Sequence, residues 1–134
     1  MWLAEAHQGL GDSERATGLA RDALALARGR EQPTAETGGN VVLARILLAA
    51  QGLRARDETD AVLTRAQELV DATGAYGHEP AIHVELAELA RQSGDATGHE
   101  RELREAHRLF TEMDATGHAD RIAAQLAALG EQVR

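Results

Sequence analysis

Apolar residues recur every three or four positions in one segment after another, and glycine or proline falls between the segments. That spacing puts apolar side chains on one face of a helix with 3.6 residues per turn. It predicts seven helices. The first runs from about Met1 to Leu10, with Trp2, Leu3, Ala6 and Leu10 on one stripe. Gly11-Asp12-Ser13 reads as a turn, with Ser13 a cap for the second helix, which ends near Arg28. The stretch from Gly29 to Gly39 contains Pro33 and two adjacent glycines and reads as the clearest loop. The third helix covers about Asn40 to Ala55, and its apolar arc is wide enough to predict packing on more than one side. The fourth runs from about Glu58 to Thr73 and stops at Gly74. Pro80 suits the first position of the fifth. Thr97-Gly98-His99-Glu100 matches a capping box opening the sixth, which stops near Gly117. The seventh covers about His118 to Leu129.

Composition narrows the function. The chain has 134 residues and no cysteine, which excludes disulfides and thiolate chemistry. Aromatic content is 2%, from Trp2, Tyr76 and Phe110. Net charge is −8, and all 14 basic residues are arginine. Phosphate backbones repel such a chain on average, so no nucleic-acid partner is expected. Without lysine there is no phosphate-loop lysine and no Schiff base. The first residues lack the basic-then-apolar pattern of a signal peptide. No apolar run reaches the about 20 residues of a membrane span, so no membrane partner and a cytoplasmic location are expected.

The helices pair. Aligning Gly11-Asp12 with Asp57-Glu58 and Gly94-Asp95 brings Leu3-Ala4 over Ala49-Ala50 and Leu86-Ala87. Downstream, Ala20 and Ala23 fall over Ala66 and Leu69, then over Leu103 and Ala106. Small residues where paired backbones meet, with larger ones between, resemble the tetratricopeptide repeat. The steps of 46 and 37 residues exceed that family's period of about 34. The family's helix A aromatic is replaced by His7, Leu53 and Ala90, and its helix B proline is absent. The resemblance implies an all-α, right-handed superhelix of antiparallel hairpins. It comprises about three hairpins, over about 1–29, 40–74 and 79–116, and a capping helix over about 118–130.

A narrower resemblance rests on Glu100 to Met113 followed by Ala115-Thr116-Gly117-His118-Ala119, and on Gly77-His78-Glu79-Pro80 before a Leu-Ala-Glu-Leu-Ala helix. These look like the C-terminal tetratricopeptide tail of large bacterial signalling proteins with a class III cyclase or kinase module and a P-loop ATPase module. The implied role is a regulatory scaffold of cyclase, ATPase or transcriptional-regulator type, with no enzyme activity of its own. The apolar start at Trp2 and Leu3 lacks the polar cap that a helical stack needs. It is therefore expected to meet an upstream repeat or a second copy, the latter giving a self-association module.

The concave face implied by the resemblance carries Glu5 and Gln8, then Gln51 and Arg54, then Glu88 and Arg91. Mixed charge of this kind suits a peptide backbone or a charged peptide end. The remaining reading is a small helical-bundle enzyme or metal protein, and the residues speak against it. His78 and His83 lie about 140° apart on a helix. His99 and Glu102 share a face without a third ligand. Ser13 and Ser93, the two serines, lie beside expected turns. Carboxylate pairs such as Glu85 and Glu88 read as solvated surface. No catalytic residue, metal or cofactor is expected.

Overall fold

The computed structural model describes the backbone of residues 2–133 and the side chains of residues 11–130. The described residues form helices and their connections, with no strand among them. Among the described residues no helix is long and apolar enough to cross a membrane. The chain divides into two compact units, Met1–Ala75 and Tyr76–Arg134.

The first unit holds α1 (Trp2–Gly29), α2 (Pro33–Gln51) and α3 (Arg56–Thr73), with a 3₁₀ turn over Gly52–Ala55. Helix α2 is in the middle and packs against both others. Its Val41, Leu43, Ala44, Leu47 and Leu48 are buried, as the wide apolar arc predicts. Thr17, Leu24 and Ala27 of α1 and Val62, Leu63, Ala66, Leu69 and Val70 of α3 complete the interior. The buried Glu36 carboxylate of α2 binds all three helices together. Its Oε2 accepts from Arg28 Nε of α1 at 3.4 Å and from Arg65 Nε of α3 at 3.0 Å. That carboxylate, by hydrogen bond and by charge, holds the Arg65 guanidinium above its ordinary pKa.

Two expectations fail here. No turn interrupts residues 11–13. Helix α1 is continuous through Gly11, Asp12 and Ser13, so Trp2–Gly29 is one helix and the hairpin expected there does not form. A glycine inside a helix costs only about 1 kcal/mol, less than breaking the backbone ladder around it. Thr17 Oγ1 donates to the Ser13 carbonyl at 2.8 Å, so Ser13 lies inside the ladder rather than capping a new helix. Likewise the loop expected over 29–39 contracts to three residues. Pro33 begins α2, and Gly38 and Gly39 are helical. Gly39 has a packing reason: a Cβ there would stand 3.2 Å from Leu24 Cδ1, where α1 passes.

The second unit holds α4 (Glu79–Gln92), α5 (Ala96–Glu112) and α6 (Thr116–Val133). Helix α5 packs against both neighbours. Ala87, Leu103 and Ile122, one from each helix, form the buried centre, and Val84, Phe110, Leu126 and Leu129 surround it. His83 Nδ1 meets Glu102 Oε2 at 2.6 Å, tying α4 to α5. Phe110 stacks on His118 at 4.8 Å, tying α5 to α6. The capping box is corrected. Asp95, not Thr97, caps α5, with Oδ1 accepting from the Gly98 amide at 2.9 Å. A Cβ on Gly98 would stand 2.2 Å from Asp95 Oδ2, so the cap in this rotamer packs closely on that glycine.

Three connections share one geometry. Each ends its helix with a residue in the left-handed region: Glu31 (φ 53), Gly94 (φ 76) and Asp114 (φ 57). In each, the next amide reaches back five residues: Gln32 to Ala27, Asp95 to Ala90 and Ala115 to Phe110, all at 2.9 Å. The left-handed residue's own amide reaches back three. This pair of bonds satisfies the carbonyls a helix end leaves open. The stop expected near Gly117 thus lies at Asp114, and Gly117 is inside α6.

Candidate functional site

In the first unit, α1 runs past the end of α2 and leaves an open cleft of about 430 Å³. Gly52, at φ 57, ends α2, and the 3₁₀ turn after it carries Arg54 to the cleft edge. Ala50 and Gln51 line the same side. From α1 come Ser13, Glu14, Thr17, Gly18 and Arg21, which fall on one face of that helix.

The cleft contains two guanidinium groups with different commitments. Arg21 Nη2 donates to Glu58 Oε1 of α3 at 2.6 Å. Arg54 pairs with no carboxylate among the described residues; its Nε donates only a long 3.5 Å bond to the Gln51 carbonyl. The Thr17 hydroxyl is occupied by the Ser13 carbonyl. Arg54, the Gln51 amide and the Ser13 hydroxyl are therefore the groups available to an incoming ligand, with the Glu14 carboxylate beside them. A guanidinium of this kind grips a carboxylate with two parallel hydrogen bonds.

Of the six residues expected on a binding face, Gln51 and Arg54 come together at this cleft. Glu88 and Arg91 belong to the second unit and satisfy each other. Arg91 Nε donates to Glu88 Oε2 at 2.9 Å, its Nη2 reaches Oε1, and Gln92 Nε2 adds a 3.0 Å bond. The hydrogen bond from Arg91 holds the Glu88 carboxyl below its ordinary pKa, against burial, which raises it. The side chains of Glu5 and Gln8, and of Trp2 and Leu3, lie outside the described residues. Sequence reasoning missed Ser13, Thr17 and Arg21 because it assigned the binding face to residues 1–10 and read Ser13 only as a cap. Their spacing of four residues, on one face of the helix expected over 13–28, was the signal that could have found them.

Two histidines of the second unit, His83 and His118, are held by neighbouring side chains. His83 lies between Glu102 and Glu79, the latter at 3.9 Å. His118 is flanked by Phe110 and by Arg121 Nη2 at 2.5 Å. Among the described residues no group of three or more histidine, aspartate or glutamate side chains is placed to hold a metal ion. Compared with protein-family models, curated proteins and solved structures, the chain matches none.

Proposed function

We propose that this chain is a protein-interaction module, and that the α1–α2 cleft receives a carboxylate-bearing segment of a protein partner. The observation that carries the reading is Arg54: a guanidinium at a cleft edge with no carboxylate partner among the described residues. The cleft volume lies within the range of ligand sites, roughly 300–1,000 Å³. Gln51 and the Ser13 hydroxyl supply hydrogen bonds to a peptide backbone, and Arg54 supplies the charge. The hairpins α2–α3 and α4–α5, one in each unit, with Ala66, Leu69, Leu103 and Ala106 buried at the expected matching positions, support tetratricopeptide-like hairpins. On that resemblance the module is a regulatory tail of a bacterial signalling protein, and any cyclase, kinase, ATPase or DNA-binding output belongs to other modules of the parent.

Selection of phage-displayed random peptides on the purified chain tests the cleft. Peptides rich in Asp or Glu, or bound through a free C-terminus, are expected. A charge-assisted hydrogen bond contributes about 1.5–3 kcal/mol, so Arg54→Glu is expected to weaken the selected peptides about tenfold or more. Glu88→Ala is expected to leave them unchanged. Peptides without acidic enrichment, or equal binding to Arg54→Glu, would overturn the reading.

A further inference from the structure

Helix α1 buries Thr17, Leu24 and Ala27 toward α2. The opposite face carries Gly11, Arg15, Gly18, Leu19, Asp22 and Leu26, all exposed. At 100° per residue these six fall within an arc of about 100°. Leu19 and Leu26 are 63% and 53% exposed, high for large apolar side chains on a helix that has a core to face.

The two glycines on this face have no reason inside the chain. A Cβ on Gly11 or Gly18 would meet nothing within 4 Å. Each costs about 1 kcal/mol of helix stability relative to alanine. Arg15 and Asp22 form no ion pair with any other described residue, although each stands on the same stripe one turn from Leu19.

We propose that this face pairs with the same face of a second copy of the chain, the two α1 helices antiparallel about a twofold axis between Gly18 and Leu19. The sequence around that point is complementary to its own reversal. Leu19 of one copy falls opposite Gly18 of the other, and Leu26 opposite Gly11, so each leucine enters a notch left by a missing side chain. Arg15 falls opposite Asp22, twice by symmetry. An isologous interface requires this property of a single surface. The glycines let the backbones approach, the leucines leave water, and the two ion pairs offset part of the repulsion between copies that each carry a net charge of −8. The contact spans about 22 Å of helix, a narrow strip, so the dimer is a weak one. Gly18 also lines the cleft, but Arg15, Leu19 and Asp22 do not, so the charge-reversal variants test self-pairing apart from the proposed partner site.

Sedimentation and light scattering of the intact chain, from micromolar to millimolar concentration, test this pairing. A monomer–dimer equilibrium is expected. Arg15→Asp sets Asp against Asp, and Asp22→Arg sets Arg against Arg, so each single reversal is expected to weaken dimerisation about tenfold or more. The double variant, Arg15→Asp with Asp22→Arg, restores opposite charges and is expected to recover it. Gly18→Leu fills the notch and should leave a monomer of unchanged helical circular dichroism. A strict monomer across the whole range would overturn the proposal. So would single reversals as dimeric as the parent, or a double variant no more dimeric than the singles.

Discussion

The two units contain three helices each, but they treat polar groups differently. In the first, the central helix brings polar side chains inside. Glu36 is buried beneath Arg28 and Arg65, and Asn40 and the Thr59 hydroxyl of α3 are buried with no hydrogen-bond partner. In the second, the central helix keeps most of its charge outside, in pairs such as Arg104 with Glu100 and Arg108 with Glu105 and Glu112. Solvated pairs of that kind contribute little each, whereas an unpaired buried polar atom costs about 1–3 kcal/mol. The second unit buries one carboxylate, Glu85, and joins α4 to α5 through His83 and Glu102, with no orphaned buried polar atom among its described residues, whereas the first carries a destabilising load that its packing has to exceed.

The largest expected effects test whether the units respond separately. Leu47→Ala in α2 and Leu103→Ala in α5 each remove a side chain with almost no exposure, at about 2–5 kcal/mol. Hydrogen exchange should show protection lost over residues 33–73 for the first and over 79–129 for the second. Loss spread over both regions by either variant would break the distinction.

Next comes the polar load. Thr59→Val keeps the shape and removes the orphaned hydroxyl, so the first unit should gain about 1 kcal/mol or more in denaturant unfolding. A loss would mean that Thr59 has a partner in solution.

The turns give a smaller and shared effect. A non-glycine residue in the left-handed region costs roughly 1–2 kcal/mol, less for aspartate, whose short polar side chain bonds locally. Glu31→Gly should therefore stabilise the first unit by about 1 kcal/mol, and Asp114→Gly the second by less. Equal gains, or a loss at Glu31, would contradict a common turn geometry.

The smallest effect is pH dependence in the second unit. The Arg91 and Arg108 hydrogen bonds hold the Glu88 and Glu105 carboxyls below the ordinary glutamate value of 4.5. A folded-state pKa below the unfolded one adds stability that is present above pH 4.5 and is lost as pH falls through the depressed values. With both groups largely solvated, each should contribute only a few tenths of a kcal/mol. Arg91→Gln and Arg108→Gln should flatten the acid limb of a stability–pH curve by that amount.

The same contrast explains what the sequence made legible. In the second unit, α4 to α6 lie close to where apolar period puts them, although Asp95 rather than Thr97 caps α5 and Gly117 lies inside α6. Gly94, and Gly74 at the end of the first unit, were readable because they stand at left-handed helix ends. In the first unit glycine misled. Gly11, Gly38 and Gly39 look like breakers, yet they lie within helices, at least Gly39 because a neighbouring helix passes close. Glu31 gave no warning, because glutamate rarely adopts a left-handed turn, and Asp114, a type that tolerates one, was passed over for Gly117 as the stop. At the site, Gln51 and Arg54 were found from repeat register, and the α1 side of the cleft was missed because that register assigned the binding face to residues 1–10.

The α1–α2 connection has a practical consequence. A lysine-free chain offers trypsin arginines only, and most of them are wound into helices. Arg30 is in the three-residue turn, exposed and followed by the strained Glu31. Brief digestion should nick the chain there first, releasing the amino-terminal helix from everything after it and showing directly how much of the remaining assembly can stand without that helix.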